Sequence, residues 1–300
     1  MAIADTIPAR RASGGRSRRS DAARGYALLT PTMVVMVVAL AAPMALLALY
    51  SFWTQNGLSL DTHFTLDRYA DAFSRETWRA LFWRSLAVSS AVTLVTLLLA
   101  YPMAYFVAFH ARAKFIWLIL LTIPFWTSYL LRVFAWKVIL GYNGVINSGL
   151  MDLGVIKQPL EFLLYNPFAV VVTLAHAWAA FAILPIYVSL EKIDRSLLDA
   201  AADLGDGPLR RFLRITLPLS LPGVIGAAVL IFVPTTGDYV TPALVGGSGG
   251  VMIANLIEVQ FDRIGDWPMG AALAIASMAA VGVITLLTVQ AVRLAASRVR

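Results

Sequence analysis

The chain has 300 residues, of which 59% are hydrophobic and only 14% charged, with a mean hydropathy of +0.76. Soluble domains carry about 25% charged and about 45–50% apolar residues, so a water-soluble globule is excluded as the first reading and an integral membrane protein replaces it. The formal charge of +7 is not the mark of a nucleic-acid binder, because residues 1–24 (six Arg, two Asp) and 293–300 (three Arg) hold all of it, while the body between has 15 basic and 15 acidic side chains.

A bilayer core about 30 Å thick is crossed by roughly 20 apolar residues rising about 1.5 Å each. The charge-free runs Gly25–Leu60, Ser85–Phe109, Phe162–Leu190 and Trp267–Val292 meet that length, and Ile215–Gly237 adds another immediately before Asp238. A further stretch from Phe115 to about Leu140 carries Arg132 and Lys137 in its last two turns, where they extend along the helix towards the headgroups. The prediction is an all-α integral membrane protein with six transmembrane helices, over 27–51, 86–109, 115–138, 168–190, 219–242 and 270–292. Residues 1–25 read as a basic disordered tail, 26–293 as the membrane body and 294–300 as a second basic tail. The Arg-rich start, with Arg10-Arg11, resembles a signal peptide, but its apolar stretch is well beyond a 7–15-residue signal core. It reads as an uncleaved first helix.

Between the spans, Thr54–Arg84 reads as a long charge-balanced loop and His110–Lys114 as a tight basic turn. Gly141–Pro167 reads as a semi-apolar connection with a short surface helix. Gly246–Gly250 reads as a flexible glycine run, and Val251–Arg263 as a short amphipathic helix. Lys and Arg set the orientation. The side with both tails, 110–114 and 191–218 holds 16 of them and the opposite side 8, which places both termini in the cytoplasm.

Cysteine is absent, which excludes disulfides, thiol nucleophiles and Cys-ligated metals. His63, His110 and His176 stand far apart in no metal-ligand spacing, and no metal site is expected. His176, alone within the fourth span, reads as a neutral side chain bonded to a neighbouring helix. Trp117, Trp126, Trp136 and Trp178 read mainly as packing and interfacial anchors. No Gly-x-x-x-x-Gly-Lys occurs, and the glycine run is followed by no Lys-Ser/Thr, so the chain has no phosphate-binding loop.

Residues 191–218, on the basic side, run Glu-Lys-Ile-Asp-Arg-Ser-Leu-Leu-Asp-Ala-Ala-Ala-Asp-Leu-Gly-Asp-Gly-Pro-Leu-Arg-Arg-Phe-Leu-Arg-Ile-Thr-Leu-Pro. The pattern predicts two short helices. Asp194 or Ser196 caps a first, Ala- and Leu-rich helix, and Gly205 fits the left-handed position that ends it. Pro208 suits the first turn of a second, whose Arg210, Arg211 and Arg214 favour the C-terminal end of its dipole. Ala200–Ala202 offer a face without bulk where another protein can approach, and Leu209, Phe212 and Leu213 an apolar anchor. An amphipathic loop lying on lipid headgroups is the alternative.

Asp199-Ala200-Ala201, three residues, Gly205, nine residues and Ile215-Thr216-Leu217-Pro218 resemble the cytoplasmic coupling-loop pattern (the EAA motif) of type I ABC importer permease subunits, with Asp for Glu. The resemblance implies a multi-pass permease of the bacterial inner membrane that works by alternating access and does no catalysis itself. It implies a cytoplasmic ATPase dimer, carrying ATP and Mg, that docks through Asp199, Ala200, Ala201, Gly205, Leu209, Ile215, Leu217 and Pro218. It also implies a second permease subunit, as a heterodimer, and an external solute-binding protein. No nucleic-acid partner is expected.

Pro124-Phe125-Trp126-Thr127-Ser128 with Arg132 and Ala135-Trp136, Leu184-Pro185-Ile186-Tyr187, Pro234-Thr235-Thr236-Gly237-Asp238-Tyr239, and Asp266-Trp267-Pro268 are similar to the spermidine/putrescine branch of that family. That branch implies a small cationic solute. Pro234 and Gly237 weaken the helix just before Asp238, and a carboxylate there can meet an ammonium group, assisted by the rings of Tyr239, Trp126 or Tyr129. The plainer reading of Asp238 is an interfacial helix cap. An ion-coupled transporter would need mid-depth charges and usually internal repeats, and a membrane-embedded enzyme would need clustered His or carboxylates at a membrane face. The carboxylates cluster only in the 191–218 loop, among Arg and Ala.

Overall fold

The structure is a computed structural model that describes residues 14–57 and 59–297. The expected disorder of residues 1–13 and the last three residues of the basic tail lie outside the described residues. The chain divides into two units, Met1–Tyr50 and Ser51–Arg300.

In the first unit a single helix, α1, spans Gly14–Tyr50. It starts before the apolar run, so residues 14–25 are helical where the composition predicts disorder. Once an apolar helix is nucleated, Ala and Arg propagate it at little cost. Thr30, before Pro31, donates its hydroxyl to the Tyr26 carbonyl (2.7 Å), so a polar side chain is satisfied within the helix.

The second unit opens with a hairpin, β1 (Thr54–Asn56) and β2 (Ser59–Asp61), with Gln55 opposite Leu60. Helices α2 (Asp67–Ser74) and α3 (Glu76–Phe109) follow. The Thr54–Arg84 segment is thus mostly ordered, and α3 begins ten residues ahead of its expected start. Trp78, near its beginning, is buried with Ala72 of α2 and with Ile253, Met269 and Leu273, and that packing extends the helix beyond its charge-free run.

After the 110–113 turn come α4 (Lys114–Thr122), a 3-10 turn (Ile123–Trp126) and α5 (Tyr129–Leu140). These replace the single third span expected over 115–138. The arms Lys114–Trp126 and Tyr129–Asp152 meet at 86°. Pro124 lacks an N–H and disfavours a helical residue before it, while Thr127 is extended. Arg132 corrects a second expectation. Instead of extending to the headgroups it turns back, and Nη1 donates to the carbonyls of Pro124 (2.7 Å) and Thr127 (2.8 Å) freed by the break.

Within the 141–167 connection, α6 (Val145–Asp152) is clamped by fully buried Asn147, whose amide donates to the Gly141, Tyr142 and Leu160 carbonyls and accepts from the Leu160 N–H. Next come α7 (Pro167–Glu191), α8 (Arg195–Asp203) and α9 (Pro208–Arg211), the last running through a π turn (Phe212–Thr216) into α10 (Leu217–Thr236). A second π turn covers Pro242–Gly246. The unit closes with α11 (Ile253–Val259), a third π turn (Gln260–Ile264) and α12 (Trp267–Ser297). The glycine run is packed, not a flexible spacer. At Gly247, φ is +57° and a Cβ would sit 2.3 Å from the Tyr165 carbonyl oxygen.

Helices α3, α7 and α10 form the centre. Ser85, Ser89, Thr93, Thr96, Ala100, Ala104 and Ala108 recur every three or four residues on α3 and are all buried, a stripe of small side chains that lets backbones approach closely in lipid. Thr93 and Thr96 bond the Ser89 and Val92 carbonyls one turn back, so these buried hydroxyls are satisfied. Against the stripe lie Leu174, Ile183, Ile186 and Leu190 of α7 and Ala227 and Ile231 of α10. Leu94 and Leu98 of α3, Phe115 and Ile116 of α4, and Leu286 and Leu287 of α12 are exposed. Apolar side chains on that scale belong in lipid.

The tightest crossing is at Gly223 of α10, where a Cβ would lie 2.5 Å from both the Pro185 carbonyl oxygen and the Ser189 Cβ of α7, whereas at Gly226 it would meet nothing within 4 Å. Gly223→Ala should therefore lower the melting temperature of the purified protein, at an overpacking cost of about 1–3 kcal/mol. Gly226→Ala, on the same helix, should leave it unchanged or raise it. Equal melting temperatures for the two variants would contradict the crossing.

Candidate functional site

At one end of the second unit lies the 191–218 loop. Lys114 closes a bidentate ion pair on Glu191 (2.8 and 2.9 Å), and Arg195 donates to the Ala108 carbonyl (3.4 Å), so the 110–114 turn and this loop share that end. Asp194 caps α8 by accepting from the Ser196 N–H (3.0 Å), and that bond holds its carboxyl below the usual carboxylate range. The helix ends in a paired Schellman turn, with Asp206 N–H on the Ala201 carbonyl and Gly205 N–H on that of Ala202, both 2.9 Å. Gly205 itself has φ +85°.

The loop residues separate into two sets. Asp199, Ala200, Gly205 and Leu209 are exposed. Ala201 is buried, so the small face expected over Ala200–Ala202 is narrower than its sequence. Ile215, Leu217 and Pro218 are half-buried at the root of α10. Phe212 turns inward with its ring edge on Tyr101 (5.8 Å) and Tyr105 (6.2 Å), so it roots the loop instead of projecting as an anchor. Leu204, not foreseen, is 88% exposed and stands with Leu209 and Leu213 as apolar projections on this end. Its signal in the sequence is a leucine set between an acidic residue and the helix-ending glycine.

A second constellation forms where two helices are interrupted. Helix α10 stops at Thr236, and the strap Gly237–Tyr239 runs on towards the Pro242 turn. Tyr129, on the first turn of α5 just past the break in the third span, donates its hydroxyl to Asp238 and shares a second hydrogen bond with Thr241. The Val240 N–H also reaches Asp238 (3.0 Å). On the strap's far side Asn255 of α11 donates to the Tyr239 carbonyl (2.7 Å), while the Tyr239 ring is exposed. The structure thus joins Tyr129 to Asp238 and sets Tyr239 beside them. Trp126, 87% exposed, makes no contact with Asp238 among the described residues. Thr241 and Asn255 complete the junction and carry no sequence motif, since their partners lie over a hundred residues away or across a turn.

No group of three or more His, Cys, Asp or Glu able to hold a metal ion occurs among the described residues. His176 stacks edge-on against Trp136 (5.5 Å).

A family profile described as "Binding-protein-dependent transport system inner membrane component" matches residues 22–300. The chain belongs to this family. As a member it is a multi-pass inner-membrane transport subunit that works with a binding protein. Its similarity extends to the spermidine/putrescine transport system permease protein PotB of Escherichia coli K12, 37% identical over 246 residues that cover 81% of this chain and 89% of that protein. The PotB protein of Haemophilus influenzae is 32% identical over 252 residues, covering 83% of each. Among solved structures, a chain of a bacterial alginate ABC transporter in complex with alginate pentasaccharide-bound periplasmic protein superposes with a TM-score of 0.66 at 18% identity. That match covers 87% of this chain and 91% of the other, and it shows the fold of an ABC importer permease.

Two outcomes follow for the permease. Gly205→Val should fray the Schellman turn, because a β-branched residue at this φ costs on the order of 1–2 kcal/mol, and hydrogen exchange at the Gly205 and Asp206 amides should accelerate. Gly205→Asn should stay close to the parent. Arg132→Met should lower the melting temperature by leaving the Thr127 carbonyl without its donor and the Pro124 carbonyl with only the Thr127 hydroxyl, a loss of about 1–3 kcal/mol. Arg132→Lys should recover part of it, and a melting temperature unchanged in Arg132→Met would remove Arg132 from the break.

Proposed function

We propose that this permease carries a polyamine into the cytoplasm, driven by a partner ATPase that docks on residues 191–218. The observation that carries the reading is the Asp238 junction. A carboxylate lies at the end of an interrupted helix, bonded by a phenol from a second interrupted helix, with an exposed aromatic ring beside it. An ammonium group satisfies such a carboxylate better than a neutral hydroxyl does, so the solute displaces Tyr129 from Asp238 while the Tyr239 face stabilises the charge. The 37% identity to a spermidine/putrescine permease supports the same solute class.

Coupling follows from one mechanical feature. From Pro208 to Thr236 the chain is a continuous helical rod of 29 residues, about 43 Å at about 1.5 Å per residue. One end carries the exposed Leu209 and Leu213, and Asp238 follows the other. Leu204, Leu209 and Leu213 enter the ATPase surface, and the rod is rooted in the bundle by the Tyr101–Ser220 bond (2.8 Å). Closure of the ATPase pair, which holds ATP and Mg, moves the rod and so shifts Asp238 against Tyr129, switching access from one side to the other. The seven Lys and Arg of residues 110–114 and 191–218 support a cytoplasmic position for that end. A second, different permease completes the pathway, and an external binding protein delivers the solute.

The decisive variant is Asp238→Asn, which keeps the shape and removes the charge. In proteoliposomes holding the complete transporter, spermidine uptake should fall about tenfold or more, corresponding to a lost contact of about 1.4 kcal/mol. Uptake unchanged in rate and concentration dependence would refute the role of Asp238. Competition by unrelated amines as strong as that by putrescine would refute the polyamine reading.

A further inference from the structure

On the side of the Gly237–Tyr239 strap facing α11, the structure forms an open cavity of about 720 Å³ between the end of α10, α11 with its π turn, and α12. Asp238 does not line it, whereas Gly237 and Tyr239 do. Two carboxylates do as well, Glu258 on α11 and Asp262 on the following π turn, together with the ring of Phe261 and the hydroxyl-bearing Ser277 and Thr285 of α12. Among the described residues neither carboxylate makes an ion pair. The three salt bridges join Arg68 to Asp266, Lys114 to Glu191 and Arg214 to Asp206. Thr285 Oγ1 is buried in the cavity wall with no hydrogen-bond partner. Glu258 is half-buried and Asp262 exposed, and most of the remaining wall is apolar.

We infer that this cavity is a second binding site for a linear polyamine, adjoining Asp238 and separate from it. The inference rests on the polyamine reading for its ligand, and on the cavity for its place. A polyamine alternates ammonium groups with methylene runs. Glu258 and Asp262, about one helical turn apart, take one ammonium group, and the apolar wall of α12 takes the methylenes. The Tyr239 and Phe261 rings flank the cation. An apolar occupant, lipid or protein, would strand both carboxylates. An anionic one would be repelled by them. Asn255 ties the Tyr239 backbone to α11 one turn before Glu258, so the two sites share the strap. A cation long enough to bridge them engages both, which favours spermidine over putrescine.

The test uses the complete membrane transporter in lipid nanodiscs, without the external binding protein, and labelled spermidine. Neutralising both carboxylates together (Glu258→Gln with Asp262→Asn) should weaken equilibrium binding about tenfold or more, the equivalent of about 1.4 kcal/mol. The loss for putrescine should be smaller. Because the chain has no cysteine, Ser277→Cys supplies a single reporter in an otherwise parental chain. Spermidine should slow its labelling by a water-soluble maleimide several-fold, and sodium at equal ionic strength should not. Unchanged spermidine binding in the neutralised transporter, or labelling indifferent to spermidine, overturns the site. If both controls hold while Asp238→Asn still abolishes uptake, only the site fails and the transport reading stands. Spermidine bound in the cavity by a parent transporter that imports no polyamine has the opposite meaning: the site stands and the transport reading fails.

Discussion

In hydrocarbon a helix gains nothing by hiding leucine from its surroundings, so α3, α7 and α10 are held together by close approach. The buried stripe from Ser85 to Ala108 supplies the room on α3, and Gly223, pressed on the Pro185 carbonyl, supplies it on α10. Everything else is arranged around that contact. The 191–218 loop grows from the ends of α7 and α10, and the Asp238 strap leaves the far end of α10. With its shaft packed against two neighbours, α10 joins the loop to the strap as one continuous helical segment.

Breaks in helices within a membrane are expensive because freed carbonyls find no water. This protein confines its breaks to places where side chains replace the lost partners. Arg132 and the Thr127 hydroxyl take up the Pro124 carbonyl, and Tyr129, one turn away, is aimed across the gap at Asp238. The interruption that costs backbone hydrogen bonds in the third span is therefore the one that brings a phenol to a carboxylate. Two irregular segments thus meet at one polar junction.

The fold leaves the cargo open. A chain of an alginate transporter, whose cargo is an acidic polysaccharide, superposes on this one at 18% identity. The fold alone therefore does not select the cargo. Here the side chains around the Tyr239 strap are acidic and aromatic: Asp238, Glu258 and Asp262 with Tyr129, Tyr239 and Phe261.

Much of this protein was legible in one dimension. Charge-free runs marked the membrane helices, because a side chain's cost in lipid depends on its own chemistry and needs no partner. The capped helix and the glycine turn of residues 191–218 were equally local, since Asp194 and Gly205 act within a few residues of themselves. What only the tertiary structure decided involved partners far apart in sequence or backbone events without a composition signal. Arg132 folds back onto its own helix break, Ala201 and Phe212 turn inward while Leu204 projects, and the glycine run packs on Tyr165. Tyr129 meets Asp238 across 109 residues. The carboxylates of the 251–263 segment read as the polar face of a surface helix, whereas in the fold they line an open cavity beside α12. Solvation is written into each residue, whereas juxtaposition depends on where the chain returns.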